Sequence, residues 1–188
     1  MNFWVVDTFM VHVPHARRDR WQEALMPLVS AWAGGVALEP TDIYGLREYR
    51  DGAVLFPHVD REDTHALSLI VNVAQAGVRA PWPVVITNFT SGAEAHVTLE
   101  PGELLYYESA KCVHGRTVPL EGEYYVNLFS HYRPDGQPHW WKEANPAPSD
   151  DSGACGGDRE TCDASYDAAL AALVSEEDEG DASQGLPS

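Results

Sequence analysis

Tyr49-Arg50-Asp51-Gly52-Ala53-Val54-Leu55-Phe56-Pro57-His58-Val59-Asp60 contains the end of one strand, a turn, and a second strand that finishes in two metal-binding side chains. Asp51-Gly52 is a turn dipeptide, because glycine reaches positive φ without a steric penalty and aspartate bonds its own backbone. The run from Ala53 to Asp60 reads as extended chain. Residues two apart on a strand point to the same face, so His58 and Asp60 can grip one cation. A third ligand stands 56 residues further on, as His114 in His114-Gly115-Arg116.

The flanks repeat the same short-strand pattern. From Pro40 to Pro134 the chain reads as β segments at Tyr44 to Arg50, Ala53 to Asp60, Leu67 to Ala74, Pro83 to Asn88, Ala95 to Leu99, Leu104 to Glu108, Cys112 to Val118 and Tyr124 to Tyr132. Asp51-Gly52, Ala76-Gly77, Ser91-Gly92, Pro101-Gly102 and Glu121-Gly122 supply the turns. Eight short strands at this spacing predict an antiparallel sandwich or jelly roll rather than βαβ units. Upstream, residues 3 to 13 alternate loosely and read as an edge strand ending at Pro14. Between Arg17 and Trp32, Trp21, Ala24, Leu25, Leu28 and Trp32 recur every three or four residues and predict a supporting helix. Pro27 lies inside it, and Gly34-Gly35 ends it.

At 188 residues, 44% of them hydrophobic, the chain is long enough for one well-buried domain. The formal charge of -17 argues against nucleic acid or an anionic membrane as partner, since phosphate attracts Lys and Arg. That charge is uneven. Residues 143 to 188 hold twelve acidic residues and one basic one, Arg159, a net of -11 that leaves -6 for residues 1 to 142. We therefore read 1–142 as the folded domain and 143–188 as an acidic tail whose composition cannot offset its ordering entropy. Tyr166, Ala169, Leu170, Leu173 and Val174 predict a short helix near 165–176 in that tail, and its acidic flank suits a basic protein partner. No run of about 18 apolar residues predicts a membrane span. The N-terminus lacks a basic n-region and a cleavage site, which points to the cytoplasm. Three cysteines, Cys112, Cys155 and Cys162, are too few for a disulfide framework and lack C-x-x-C spacing. Glycine-rich phosphate loops and a nucleophile elbow are absent from the sequence, so dinucleotide, phosphoryl and serine-hydrolase chemistry have no footing.

Two imidazoles and one carboxylate on one face leave the opposite coordination positions open, as a non-haem Fe(II) oxygenase needs for a cosubstrate and dioxygen. By themselves the three residues also read as a solvated strand end and a core histidine. Their flanks add weight. Tyr49-x-x-Gly52-x-x-Leu55-x-x-His58-x-Asp60, the strand Ala66 to Val73, Pro81-Trp82-Pro83, Leu99-Glu100-Pro101-Gly102-Glu103 and His114-Gly115-Arg116 together resemble the prolyl 4-hydroxylase-like branch of the 2-oxoglutarate- and Fe(II)-dependent dioxygenases. The resemblance spans Tyr44 to Pro134.

It implies a double-stranded β-helix, Fe(II) held by His58, Asp60 and His114, 2-oxoglutarate chelating the metal, ascorbate as an accompanying reductant, and Tyr49 in the cosubstrate pocket. It also implies a hydroxylase that acts on a prolyl or other peptide substrate, or on a small molecule, and releases succinate and CO2. One feature departs from the branch. The Lys or Arg that anchors the distal carboxylate of 2-oxoglutarate, about ten residues beyond the second histidine, is replaced by Tyr124. A carboxylate in a closed pocket calls for a cation, preferably a bidentate one. Arg116, two residues beyond His114 and on its face, is the first substitute; Arg47, on Tyr49's face, is the second; Tyr124 can add a hydroxyl. The missing anchor keeps a second reading open, a cupin-like metal- or ligand-binding barrel without oxygenase activity. His65, His96 and His131 lack a neighbour at ligand spacing and read as structural or exposed. Trp82 reads as core or as a wall of the pocket. Of Tyr106 and Tyr107, one is expected inside and one out. The loops Arg61 to His65, Gln75 to Trp82 and Asn88 to Glu94 are expected to shape the mouth.

Overall fold

The computed structural model describes residues 6–140. The tail, the helix expected near 165–176 and the boundary at 142 lie outside the described residues. Among the described residues, nine strands form two antiparallel sheets, with one helix, α1 (His15–Trp32), ahead of all but the first strand. The strands are β1 (Phe9–Val11), β2 (Leu38–Arg50), β3 (Leu55–His58), β4 (Leu67–Ala76), β5 (Val84–Thr87), β6 (Glu94–Val97), β7 (Leu104–Tyr107), β8 (His114–Arg116) and β9 (Tyr124–Pro134). One sheet has the order β1-β2-β9-β4-β7 and the other β3-β8-β5-β6, so the mainly β jelly roll foreseen from the turn spacing is the fold. No helix among the described residues is long and apolar enough to cross a membrane.

Period-two alternation divides the larger sheet cleanly. Leu69, Tyr132 and Val29 bury one face against α1, with Leu25 and Met26 beside them. The other face meets the second sheet. There, Ile70, Val84, Leu99 and Tyr107 fill the middle, and Tyr49, Ala53, Trp82, Leu120 and Tyr125 close one end. Each fully buried large aliphatic side chain contributes roughly 1.5–3 kcal/mol relative to its exposed state. The two sheets are therefore held apart by apolar packing at fixed spacing, which leaves a cavity between them near β3 and β8.

Most strands differ by a few residues from their expected bounds, and the helix, β2 and β3 differ in ways that bear on the site. The helix buries Gln22 and Val29, whereas Leu28 and Trp32 are nearly half exposed. Its inner face is turned by about one residue because polar Gln22 belongs to it: the Gln22 amide donates to the carbonyls of Asp42 (3.1 Å) and His131 (3.0 Å), and Tyr132 donates to the Gln22 carbonyl. β2 starts at Leu38, not Tyr44, and passes through Pro40. A register shift follows between Pro40 and Ile43, and another between Ile43 and Leu46 takes in Gly45 at φ 104°. These irregularities absorb the missing proline N–H and the tight approach of Gly45 to β1. Finally, β3 ends at His58, so Asp60 stands just past the strand instead of on it. A register shift between Leu55 and His58 accompanies Pro57, which cannot donate to the ladder.

Candidate metal centre

β3 and β8 run antiparallel with His58 opposite His114, and their imidazole rings lie 4.4 Å apart. Asp60 reaches the same point from the loop, fixed by its backbone N–H, which donates to the Ser109 carbonyl at 2.9 Å. Its two carboxylate oxygens face the Nε2 atoms of His58 (3.6 Å) and His114 (3.8 Å). In each histidine the Nδ1–H donates to the carbonyl two residues earlier: His58 to Phe56 at 2.8 Å, His114 to Cys112 at 2.9 Å. That bond fixes the tautomer and leaves the Nε2 lone pair turned towards Asp60, as metal-bound histidines require. Tyr107 lies edge-on to His114 at 4.8 Å and walls one side.

Electrostatics set the same protonation state. Burial and the neighbouring His58 push His114 down to about 4, so its ring is neutral at pH 7. Burial alone would raise the Asp60 carboxyl, but the imidazoles of His58 and His114 outweigh it and hold Asp60 well below the usual carboxylate range. One carboxylate with two imidazoles is the ligand set of an open facial site for a divalent first-row metal. The three residues offer ligand atoms that all lie within 4.8 Å of one another.

A cavity of about 270 Å³ opens on these ligands and is also lined by Tyr49, Arg47 and Arg116. Arg116 is 2% exposed, although it carries a guanidinium. Its carbon centre sits 4.0 Å from the Trp82 ring and 4.9 Å from that of Tyr125, and its Nη1 donates to the Trp82 carbonyl. Nη2 has no hydrogen-bond partner, and neither has the buried hydroxyl of Tyr49. Burial lowers the Arg116 pKa, yet a guanidinium stays charged. A buried cation and a buried hydroxyl, both unsatisfied and both on the metal ligands' cavity, fit a carboxylate.

Arg47 lines the cavity beside Tyr49, its guanidinium 5.3 Å from the Phe129 ring. Tyr124 does not line it. The alternation that turns Tyr125 inward, where it meets Arg116 and donates to the Leu99 carbonyl at 2.6 Å, sends Tyr124 to the opposite face. Of the three loops expected at the mouth, only Arg61 to His65 borders the cavity; Trp82 is core, edge-on to Tyr49 and Tyr125. Tyr107 is the inner tyrosine, while Tyr106 stacks on Trp32.

His65 and His131 line the cavity too, stacked on each other at 3.7 Å. The sequence signalled neither, because their approach depends on the pairing of β4 with β9. His131 is legible in retrospect, since His131, Phe129, Asn127 and Tyr125 alternate along one face of β9. Asn127, fully buried in register with Arg47 and Asn72, has no partner for its amide.

No protein-family profile and no curated protein sequence matches the chain. Solved structures do. A prolyl-4-hydroxylase from Pseudomonas putida superposes with a TM-score of 0.52 at 20% identity, covering 72% of each chain. The truncated viral collagen prolyl hydroxylase of Paramecium bursaria Chlorella virus-1 gives 0.49 at 12% identity, covering 71% of this chain and 74% of its own. A cupin domain from Bordetella pertussis gives 0.31 at 12% identity, over 52% of this chain and 95% of its own. The chain thus shares its fold with a bacterial prolyl-4-hydroxylase.

Proposed function

We propose that the chain is a non-haem Fe(II)- and 2-oxoglutarate-dependent dioxygenase that hydroxylates a C–H bond of a peptide, such as a prolyl group, or of a small molecule. The observation that carries this reading is Arg116: a buried guanidinium with an unpaired Nη2, open to the cavity that holds the facial set of His58, Asp60 and His114. Burying a guanidinium with one nitrogen unpaired is costly, and a carboxylate ligand in the cavity would offset that cost. The shared prolyl-4-hydroxylase fold agrees with the reading.

His58, Asp60 and His114 would hold Fe(II), and Arg116 with Tyr49 would hold the distal carboxylate of 2-oxoglutarate. When bound, the metal and cosubstrate supply dioxygen-dependent oxidation, with succinate and CO2 as the by-products. The protein contributes geometry. Asp60 offsets two units of metal charge by one, the Phe56 and Cys112 carbonyls keep both rings aimed, and Trp82 and Tyr125 keep water from the Arg116 end. A cavity of about 270 Å³ lies just under the roughly 300–1,000 Å³ of drug-sized ligand pockets, so it suits a small dicarboxylate with one side-chain-sized group beside it.

The test is succinate formation from 2-oxoglutarate by the Fe(II)-loaded protein, with and without candidate prolyl peptides. Asp60→Ala and His58→Ala should abolish it while far-ultraviolet circular dichroism stays unchanged. Turnover retained in both variants would contradict the assignment.

A further inference from the structure

The two further histidines of the cavity are not equivalent. Both ring nitrogens of His65 are engaged, Nδ1 with the Thr64 hydroxyl at 2.6 Å and Nε2 with the Tyr44 hydroxyl at 3.1 Å. At His131 only Nδ1 is engaged, 2.7 Å from the Ser68 hydroxyl, and Nε2 has no hydrogen-bond partner among the described residues. The His131 ring is nevertheless buried, 3% exposed, and it lines the cavity.

A chain of hydroxyls fixes which nitrogen carries the proton. The His65 carbonyl can only accept, and the Ser109 hydroxyl donates to it at 3.2 Å. A serine has one hydroxyl hydrogen, so Ser109 accepts from Ser68, 2.5 Å away. Ser68 has then used its own hydrogen and must accept from the Nδ1–H of His131. Nε2 is left as a bare lone pair. Ser68 and Ser109 are fully buried, so water does not compete for these bonds. Burial and the His65 ring stacked at 3.7 Å hold the His131 pKa well below its ordinary value, which keeps the ring neutral. A buried acceptor needs a donor, and the described residues supply none. A ring nitrogen of His131 and a carboxylate oxygen of Asp60 lie within 4.8 Å of each other, so the donor belongs beside the metal ligands, where the oxidised C–H group must also stand.

We propose that His131 selects the substrate by accepting a hydrogen bond from its ring N–H. The inference rests on the oxygenase reading above and narrows it. A prolyl residue inside a peptide has no hydrogen on its ring nitrogen. The substrates that satisfy His131 are those with an unsubstituted ring nitrogen: a free cyclic imino acid, or the same residue at the N-terminus of a peptide. At neutral pH that nitrogen is a protonated amine, and its bond to a neutral imidazole is charge-assisted.

Binding is measured on full-length protein loaded with Zn²⁺ and 2-oxoglutarate, which cannot turn over, so the outcome does not depend on oxygenase chemistry. Nitrogen-15 NMR of the histidines should show His131 as the Nδ1–H tautomer, assigned by loss of its signals in His131→Gln. The probes are L-proline and prolyl-glycine, set against N-acetyl-L-proline and tetrahydrofuran-2-carboxylate, in which an ether oxygen replaces the N–H. L-proline or prolyl-glycine should move the Nε2 resonance and bind roughly 10-fold more tightly than the ether; which of the two binds separates the free acid from the N-terminal residue. His131→Phe should erase the preference, and His131→Gln, whose carbonyl can accept, should keep part of it. If His131→Phe does not fold, Ser68→Ala, which releases the tautomer, should reduce the preference. A proton on Nε2, equal affinity for L-proline and the ether, a preference unchanged in the variants, or no binding of either N–H probe would overturn the proposal. Selective binding of L-proline without succinate formation by the Fe(II)-loaded protein would remove the oxygenase reading and leave the acceptor role of His131 standing.

Discussion

Gly115 packs so closely on β3 that a Cβ there would stand 2.7 Å from the carbonyl oxygen of Leu55 and 2.9 Å from the nitrogen of Pro57. Both are backbone atoms, so a side chain cannot be absorbed by a rotamer change. Gly115 lies between His114 and Arg116, and the strand it presses on carries His58. The closeness of β3 and β8 therefore sets the distance between the two imidazoles.

Gly115→Ala should push β3 away and separate His58 from His114. Divalent-metal affinity should fall by roughly 10–100-fold, the range for disturbed ligand positioning. Overpacking should destabilise the protein by roughly 1–3 kcal/mol. Metal titration with calorimetric melting checks both; unchanged metal affinity would mean that the strand contact does not position the ligands.

Arg116→Gln should weaken 2-oxoglutarate binding by roughly 10–100-fold, corresponding to a lost charge-assisted bond of about 1.5–3 kcal/mol. Metal binding should stay intact, because Arg116 touches none of the three ligands. Addition of 2-oxoglutarate should raise the melting temperature of wild type, and the variant should need roughly 10–100-fold more of it for the same rise. Arg47→Gln is the control: a larger effect there than at Arg116 would transfer the anchor to β2.

Stability of the metal-free protein should fall as pH drops below about 6.5. Burial depresses the pKa values of His114, His131 and His65 in the fold, His114 from 6.5 to about 4. Between the unfolded and folded values the unfolded chain binds more protons, so stability is complete above the unfolded pKa and is lost on acidification. His114 alone should remove about 3 kcal/mol by pH 4. Asp60, whose pKa is also depressed, extends the loss to still lower pH. Melting temperature measured in chelator from pH 7.5 to pH 4.5 tests this, and a flat profile would contradict it.

The parts of the site that the sequence disclosed are those governed by local periodicity. His114 and Arg116 share a face because they are two residues apart on one strand, and that reasoning needs no knowledge of which strands pair. Asp60 was placed near His58 by the same rule, although it arrives from a loop braced by Ser109. Phase errors of one residue mark where the rule stops. Tyr124 and Tyr125 differ only in which is inward, and nothing in two adjacent tyrosines decides that; the pairing of β9 with β2 and β4 does. The helix face lies about one residue from the apolar pattern because Gln22 is buried through bonds to the Asp42 and His131 carbonyls, contacts that no apolar pattern encodes. His65 and His131 stayed hidden for a related reason, since their meeting depends on His131 lying opposite Ser68 across the β4–β9 ladder.

The most direct measurement is visible absorption of the anaerobic Fe(II)-loaded protein on addition of 2-oxoglutarate. Chelation of the metal by the keto acid should produce a metal-to-ligand charge-transfer band in wild type that saturates at one equivalent of cosubstrate. Asp60→Ala should not form it, and Arg116→Gln should form it only at much higher 2-oxoglutarate. Wild-type protein that binds Fe(II) yet gives no band at saturating 2-oxoglutarate would contradict the account.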